Sequence, residues 1–196
     1  MTQYYYLVAS LPMLFFEAAP PFSSHAWLES CREQLTKDDY ALLSRVSLDA
    51  LGPQPGDSAA WRIFSSWETS LRNELARHRA QRLGRDPEPF LRDAPFFAGL
   101  PAVVKQALGA GTPKAVEIAL DRERWSYLEE LETGTQFDLD RLIVYRLKLQ
   151  LLERKERFRP KPGRESFWRE YDRVLENAAV WASAASSPPD TEKRND

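Results

Sequence analysis

The amino-acid sequence predicts an all-α protein, a multi-helix bundle with a long helical hairpin and a disordered C-terminal tail. Three observations carry that expectation. Apolar residues recur at helical spacing, as in Ala60, Phe64, Trp67, Leu71 and Leu75, whose steps of four and three keep them on one helix face. Ser or Thr stands before the periodic runs, where a hydroxyl can cap a helix. A set of alternating apolar and polar segments, which a sheet would need, is missing. The one strand candidate is YYYLVAS (4–10), rich in residues that favour extended structure, and a short buried helix suits it equally well.

The opening MTQYYYLVASLPMLFF carries no charge before Glu17. A secretion signal needs a basic region ahead of its apolar stretch, and no Lys or Arg precedes Arg32. A membrane span needs about 20 apolar residues, and Ser10, Pro12 and Glu17 interrupt this run. The segment is therefore expected to be an aromatic core element of a cytoplasmic protein, packed beneath later helices.

The elements follow in order. Ser23 and Ser24 can cap SHAWLESCREQL, and Thr36 can cap a helix whose first turn holds Asp38 and Asp39. LGPQPGDS (51–58) reads as an exposed turn. A long amphipathic helix starts at Ser58 and should stop near Gly84. Residues 85–101 are proline-broken and aromatic, a packed connector with at most one short helix. Thr112-Pro113 is a strong start signal, because proline at the first helical position loses no hydrogen bond. That helix runs to about Glu132, and TGTQFDLD links it to another over about Leu139 to Phe158. Short links of this kind join antiparallel neighbours. A last helix over about Glu165 to Ala182 should bury Phe167, Tyr171, Val174, Ala178 and Trp181. Residues 1–182 are expected as one all-helical domain and 183–196 as a disordered tail.

The helix from Leu139 has two apolar faces. Leu142, Tyr145, Leu149 and Leu152 fall on one, and Val144, Leu147, Leu151 and Phe158 on nearly the opposite one. Such a helix must be covered from both sides. Between the faces run two polar seams, one with Arg146, Gln150, Glu153 and Arg157, the other with Arg141, Lys148 and Lys155.

Charge is segregated along the hairpin. Residues 117–140 hold eight acidic and two basic side chains, and residues 141–164 hold nine basic and two acidic. Antiparallel pairing would neutralise part of this. The basic end is expected to extend beyond the hairpin, which makes Arg154, Lys155, Arg157, Arg159, Lys161 and Arg164 the candidate partner-binding residues. A net charge of −2 gives no global pull towards nucleic acid. Binding of nucleic acid or another polyanion through 141–164 is the alternative to protein contact.

Residues that could carry catalysis are scattered. His25 and His78 stand on different helices, and His25 with Glu29 is one i, i+4 pair, too few ligands for a metal site. Cys31, the single cysteine, excludes an internal disulfide and has no basic run beside it to activate the thiol. GAGTPK (109–114) departs from the phosphate-loop pattern and reads as a turn with an N-cap. The acidic run Glu129, Glu130, Glu132, Asp138 and Asp140 reads as a solvated face or as the partner of the basic helix. No enzyme activity, cofactor or metal is expected.

Two stretches resemble a family. The opening YYYLVASLPML with PPFSSHAWLESC, and then DRERWSYLEELETGTQFDLDRLIVYRLKLQLLERKERF (121–158), look like uncharacterised bacterial proteins encoded among the subunits of V/A-type rotary ATPases. The second stretch is also similar in style to the C subunit of archaeal-type ATPases (d in eukaryotic V-ATPases), an all-helical funnel between rotor shaft and membrane ring. That subunit has three related helical units and is longer than this chain. The resemblance implies a non-catalytic structural, coupling or assembly component of a rotary ATPase. It implies partners among the other ATPase subunits, at the rotor shaft or membrane ring, and a cytoplasmic location peripheral to the membrane. No catalytic residue is carried over.

Overall fold

The computed structural model describes residues 3–49, 56–158 and 169–175. Among them the chain is all-helical, without strands. In order come α1 Tyr5–Ala9, α2 Ser24–Cys31, α3 Lys37–Arg45, α4 Ala59–Leu83, a 3-10 turn at Glu88–Phe90, α5 Leu100–Leu108, α6 Pro113–Thr133 and α7 Leu139–Arg157. Helical backbone also covers 169–175. The chain divides into two compact units, Met1–Glu156 and Arg157–Asp196, where one domain to residue 182 was expected.

The hydroxyls read from the sequence close the helix ends. Ser23, Thr36, Ser58 and Thr112 accept from the backbone N–H of Ala26, Asp39, Trp61 and Ala115. Each satisfies an amide that the helix itself leaves without a partner, worth about 1 kcal/mol. Gly84 ends α4 at φ +61°, a left-handed conformation that glycine adopts without a Cβ penalty. The connector behind it keeps one short turn and is otherwise held by side chains of α4. Asn73 grips the backbone of Arg92 twice, donating through Nδ2 to its carbonyl at 2.7 Å and accepting from its N–H at 3.0 Å. Ser70 donates to Pro95 O at 2.6 Å.

Helix α5 has no counterpart in the sequence reading. Its signal is present: Leu100, Val104 and Ala107 are buried at helical spacing, with Pro101 in the first turn.

Helix α7 is the inner helix its two apolar faces demanded. Leu142 to Tyr145, Leu147, Leu149, Leu151 and Leu152 are all buried. At about 1.5–3 kcal/mol for each large apolar side chain, this row dominates the core. The seams between the faces join α7 to its neighbours. Gln150 accepts from Leu48 N–H at 2.9 Å and donates to Val46 O at 3.1 Å. Glu153 takes both the N–H and the hydroxyl of Ser24, at 2.8 and 2.6 Å. Arg146 donates to Leu43 O. An inner helix presents polar groups only where a neighbouring chain end needs them.

The YYYLVAS segment is helix α1 rather than a strand. With no second strand beside it, the backbone closes its own hydrogen bonds. Its burial is also only partial. Tyr4, Leu7 and Phe16 enter the core, whereas Tyr6 is 93% exposed, Met13 78% and Phe15 58%. A helix of five residues buries one face, so the neighbouring aromatic rings point outward. Tyr171 and Val174, expected in the core, are 46% and 63% exposed. Phe167, Ala178, Trp181, the tail 183–196 and most of the 51–58 turn lie outside the described residues. No helix among the described residues is long and apolar enough to cross a membrane.

Candidate functional site

The basic segment is largely engaged inside the bundle. Arg154 Nη2 lies 2.5 Å from Glu117 Oε2 and its Nε 3.6 Å from Asp121 Oδ2. Lys155 donates to Phe16 O and stands 3.6 Å from Glu17 Oε2. Arg141 and Lys148 share Glu132, the first at 2.6 Å. Glu129 accepts from Trp125 Nε1 at 2.7 Å, and Asp138 accepts from Arg141 N–H at 3.1 Å at the start of α7. Much of the acidic run is thus tied into the hairpin. Arg157 is exposed. Arg159, Lys161 and Arg164 lie outside the described residues.

The residues around Glu17 lock the N-terminal segment onto the hairpin. The Phe16 ring sits between two cations, with Arg122 Cζ 4.9 Å and Lys155 Nζ 4.7 Å from its centroid. It meets Trp125 edge-on at 5.6 Å. Glu17 then takes Arg122 at 2.5 Å. At the other end Tyr4 N–H donates to Phe137 O at 2.5 Å, and the Tyr4 hydroxyl donates to Asp39. Tyr145 ties the middle, donating to Pro12 O at 3.1 Å.

Between these attachments the segment stands off from the hairpin and leaves a cleft of about 360 Å³. One wall is Val8 and Leu11 to Phe15, without a charge. The other is Glu129 and Glu132 of α6 with Arg141, Tyr145 and Lys148 of α7. Around the mouth Tyr5, Tyr6, Met13, Phe15 and Phe137 are exposed, and Tyr5 packs on Phe137 at 4.9 Å between centroids. Apolar surface concentrated beside a groove marks a contact site more often than chance exposure does.

A second feature, missed in the sequence, is a buried chain of alternating charge. Arg124 holds Glu68 through two hydrogen bonds, at 2.8 and 3.0 Å, and donates to Asp121 at 2.8 Å. Arg72 adds a contact to Glu68 at 2.7 Å and reaches Leu48 O at 2.6 Å. Glu68, Asp121 and Arg124 are each under 5% exposed. Burial pushes the Asp121 carboxyl above its ordinary range, against the pull of Arg124 and Arg154. Every charge in this row faces an opposite one, which is what a low-dielectric interior requires. The arrangement fixes α4, α6 and α7 to one register.

Other candidates have structural partners. Thr112 caps α6. Glu29 meets Arg32 and Tyr40. Cys31 is wholly buried, and burial pushes its thiol up to about 11. Among the described residues no group of three or more His, Cys, Asp or Glu is placed to hold a metal ion.

Fold and surface together define a class: an all-helical protein with an apolar, aromatic face beside a charged groove. No family model, curated protein or solved structure matches the chain.

Proposed function

We propose that this chain is a non-catalytic structural, coupling or assembly component of a V/A-type rotary ATPase, resembling its C subunit, and that it works by protein contact. The observation that carries the contact reading is the exposed row Tyr5, Tyr6, Met13 and Phe15 bordering the cleft. Assignment to the ATPase rests on the resemblance in YYYLVASLPML and 121–158. The first of those stretches supplies most of the exposed face and the second the hairpin behind it. Partners are the other ATPase subunits, met at the cytoplasmic side of the membrane.

The polyanion alternative has no observation in its favour. Arg141, Arg146, Lys148, Arg154 and Lys155 all have partners within the fold. The test is affinity purification of the tagged chain from cells that carry the ATPase operon. Co-purification of ATPase subunits supports the proposal, and their absence from a preparation with intact holoenzyme overturns it.

A further inference from the structure

We infer that the cleft between residues 8–15 and the α6–α7 hairpin receives a basic amphipathic helix of a partner protein. This rests on the contact reading above but names the element that is bound. The cleft holds about 360 Å³, whereas a helix with side chains is about 10–12 Å across. A helix therefore lays one row of apolar side chains into it, against Leu11, Met13 and Leu14, and leaves its flanks at the rim.

Charge selects the sign of those flanks. The N-terminal wall is uncharged, and residues 129–140 beside it contain five acidic and no basic side chains. Arg141 and Lys148 are both drawn onto Glu132. Set against the five acidic residues, they leave the rim at −3. Glu129 and Glu130 on α6 are exposed, and Lys or Arg on a bound helix would meet them.

The same charge disfavours other occupants. A second copy docked about a two-fold axis would bring one acidic rim against another. An anionic membrane surface would be repelled, although Tyr5, Tyr6 and Phe15 suit an interface. An extended peptide would need a sheet edge to pair with, and the described residues hold no strand. A helix satisfies its own backbone, so side chains alone can hold it.

The probe is a synthetic, fluorescently labelled peptide of about 18 residues, long enough to hold a helix. It carries Leu at i, i+3, i+4 and i+7 and Lys elsewhere, and its control has Glu in place of Lys. Binding to the full chain is read by anisotropy. The Lys peptide should bind at least roughly tenfold more tightly than the Glu peptide, and less tightly as salt rises. Met13→Asp with Phe15→Asp should abolish binding while the helical signal persists, because both side chains are already exposed. Glu130→Lys should narrow the preference.

Equal binding of both peptides, or binding untouched by the double variant, overturns the inference. So does self-association or binding to anionic vesicles that the double variant removes while peptide binding is absent. ATPase subunits that still co-purify with the double variant would sink this inference and leave the proposed function standing. Peptide binding without any co-purified ATPase subunit would do the reverse.

Discussion

Arg124 and Glu68 form a two-pronged ion pair in the core, Nε to Oε2 at 2.8 Å and Nη2 to Oε1 at 3.0 Å. Removing one partner leaves an uncompensated buried charge, which typically costs about 3–5 kcal/mol. Glu68→Leu and Arg124→Met should each lower the urea midpoint by that order. The double variant should lose less than the sum of the two, because the orphaned charge has gone. Strictly additive losses in a double-mutant cycle would show that the two side chains are not coupled.

Cys31 and Tyr145 make the fold sensitive to alkali. Burial pushes the Cys31 thiol from 9.0 to about 11. It also pushes the Tyr145 phenol, which neighbours Cys31, from 10.0 to about 12. Both are acids whose protonated form the fold favours. Their contribution is therefore complete below pH 9 and is lost as pH rises through 11 and 12. Chemical denaturation across this window should show falling stability, with a flatter slope for Cys31→Ala and for Tyr145→Phe. At neutral pH a thiol reagent should label the native protein only at the rate of unfolding. Rapid labelling would place Cys31 at the surface.

Helix starts were legible because each rests on a local hydrogen bond between neighbours in sequence, as in Thr112 to Ala115. The two-faced α7 was legible because its periodicity records burial on both sides. The Glu68–Arg124 pair had a signal that went unread. Glu68 stands in the apolar row Phe64, Leu71, Leu75, and Arg124 in the row Leu120, Leu128, Leu131. A charge on each of two apolar stripes announces a buried pair, but only tertiary packing says which residues meet. Partners of Arg154 and Lys155 were hidden for the same reason. Glu117 and Glu17 lie 37 and 138 residues away in sequence. Outward Tyr6, Met13 and Phe15 were read as core because hydrophobicity favours burial without revealing where a surface is kept for contact.

The Phe16 clasp should outweigh the ion pair beside it. Phe16 is 7% exposed and packs on Trp125, so Phe16→Ala should cost about 3 kcal/mol or more. Glu17 has 70% of its side chain in solvent, and its pairs with Arg122 and Lys155 are surface pairs. Glu17→Ala should cost under about 1 kcal/mol. Hydrogen exchange should show faster exchange across residues 4–10 in the first variant only. Similar release in both would assign the attachment to charge rather than to burial.

The basic end of the hairpin divides into residues with different work. Arg154 has 28% of its side chain exposed and faces Glu117 and Asp121. Arg154→Glu would set three carboxyl groups together where Asp121 is already hard to ionise. A loss of about 2–3 kcal/mol is expected, within the range for breaking a partly buried network. Arg157 is exposed one turn from the helix end, and Arg157→Glu should change stability by no more than about 0.5 kcal/mol. Thermal melts of the two variants in low salt separate these outcomes. Equal and small effects would mean that Arg154 stands free of Glu117 and Asp121 in solution, returning it to the surface that a partner could use. A large effect at Arg154 alone confines any contact made by this end of the chain to residues from Arg157 onward.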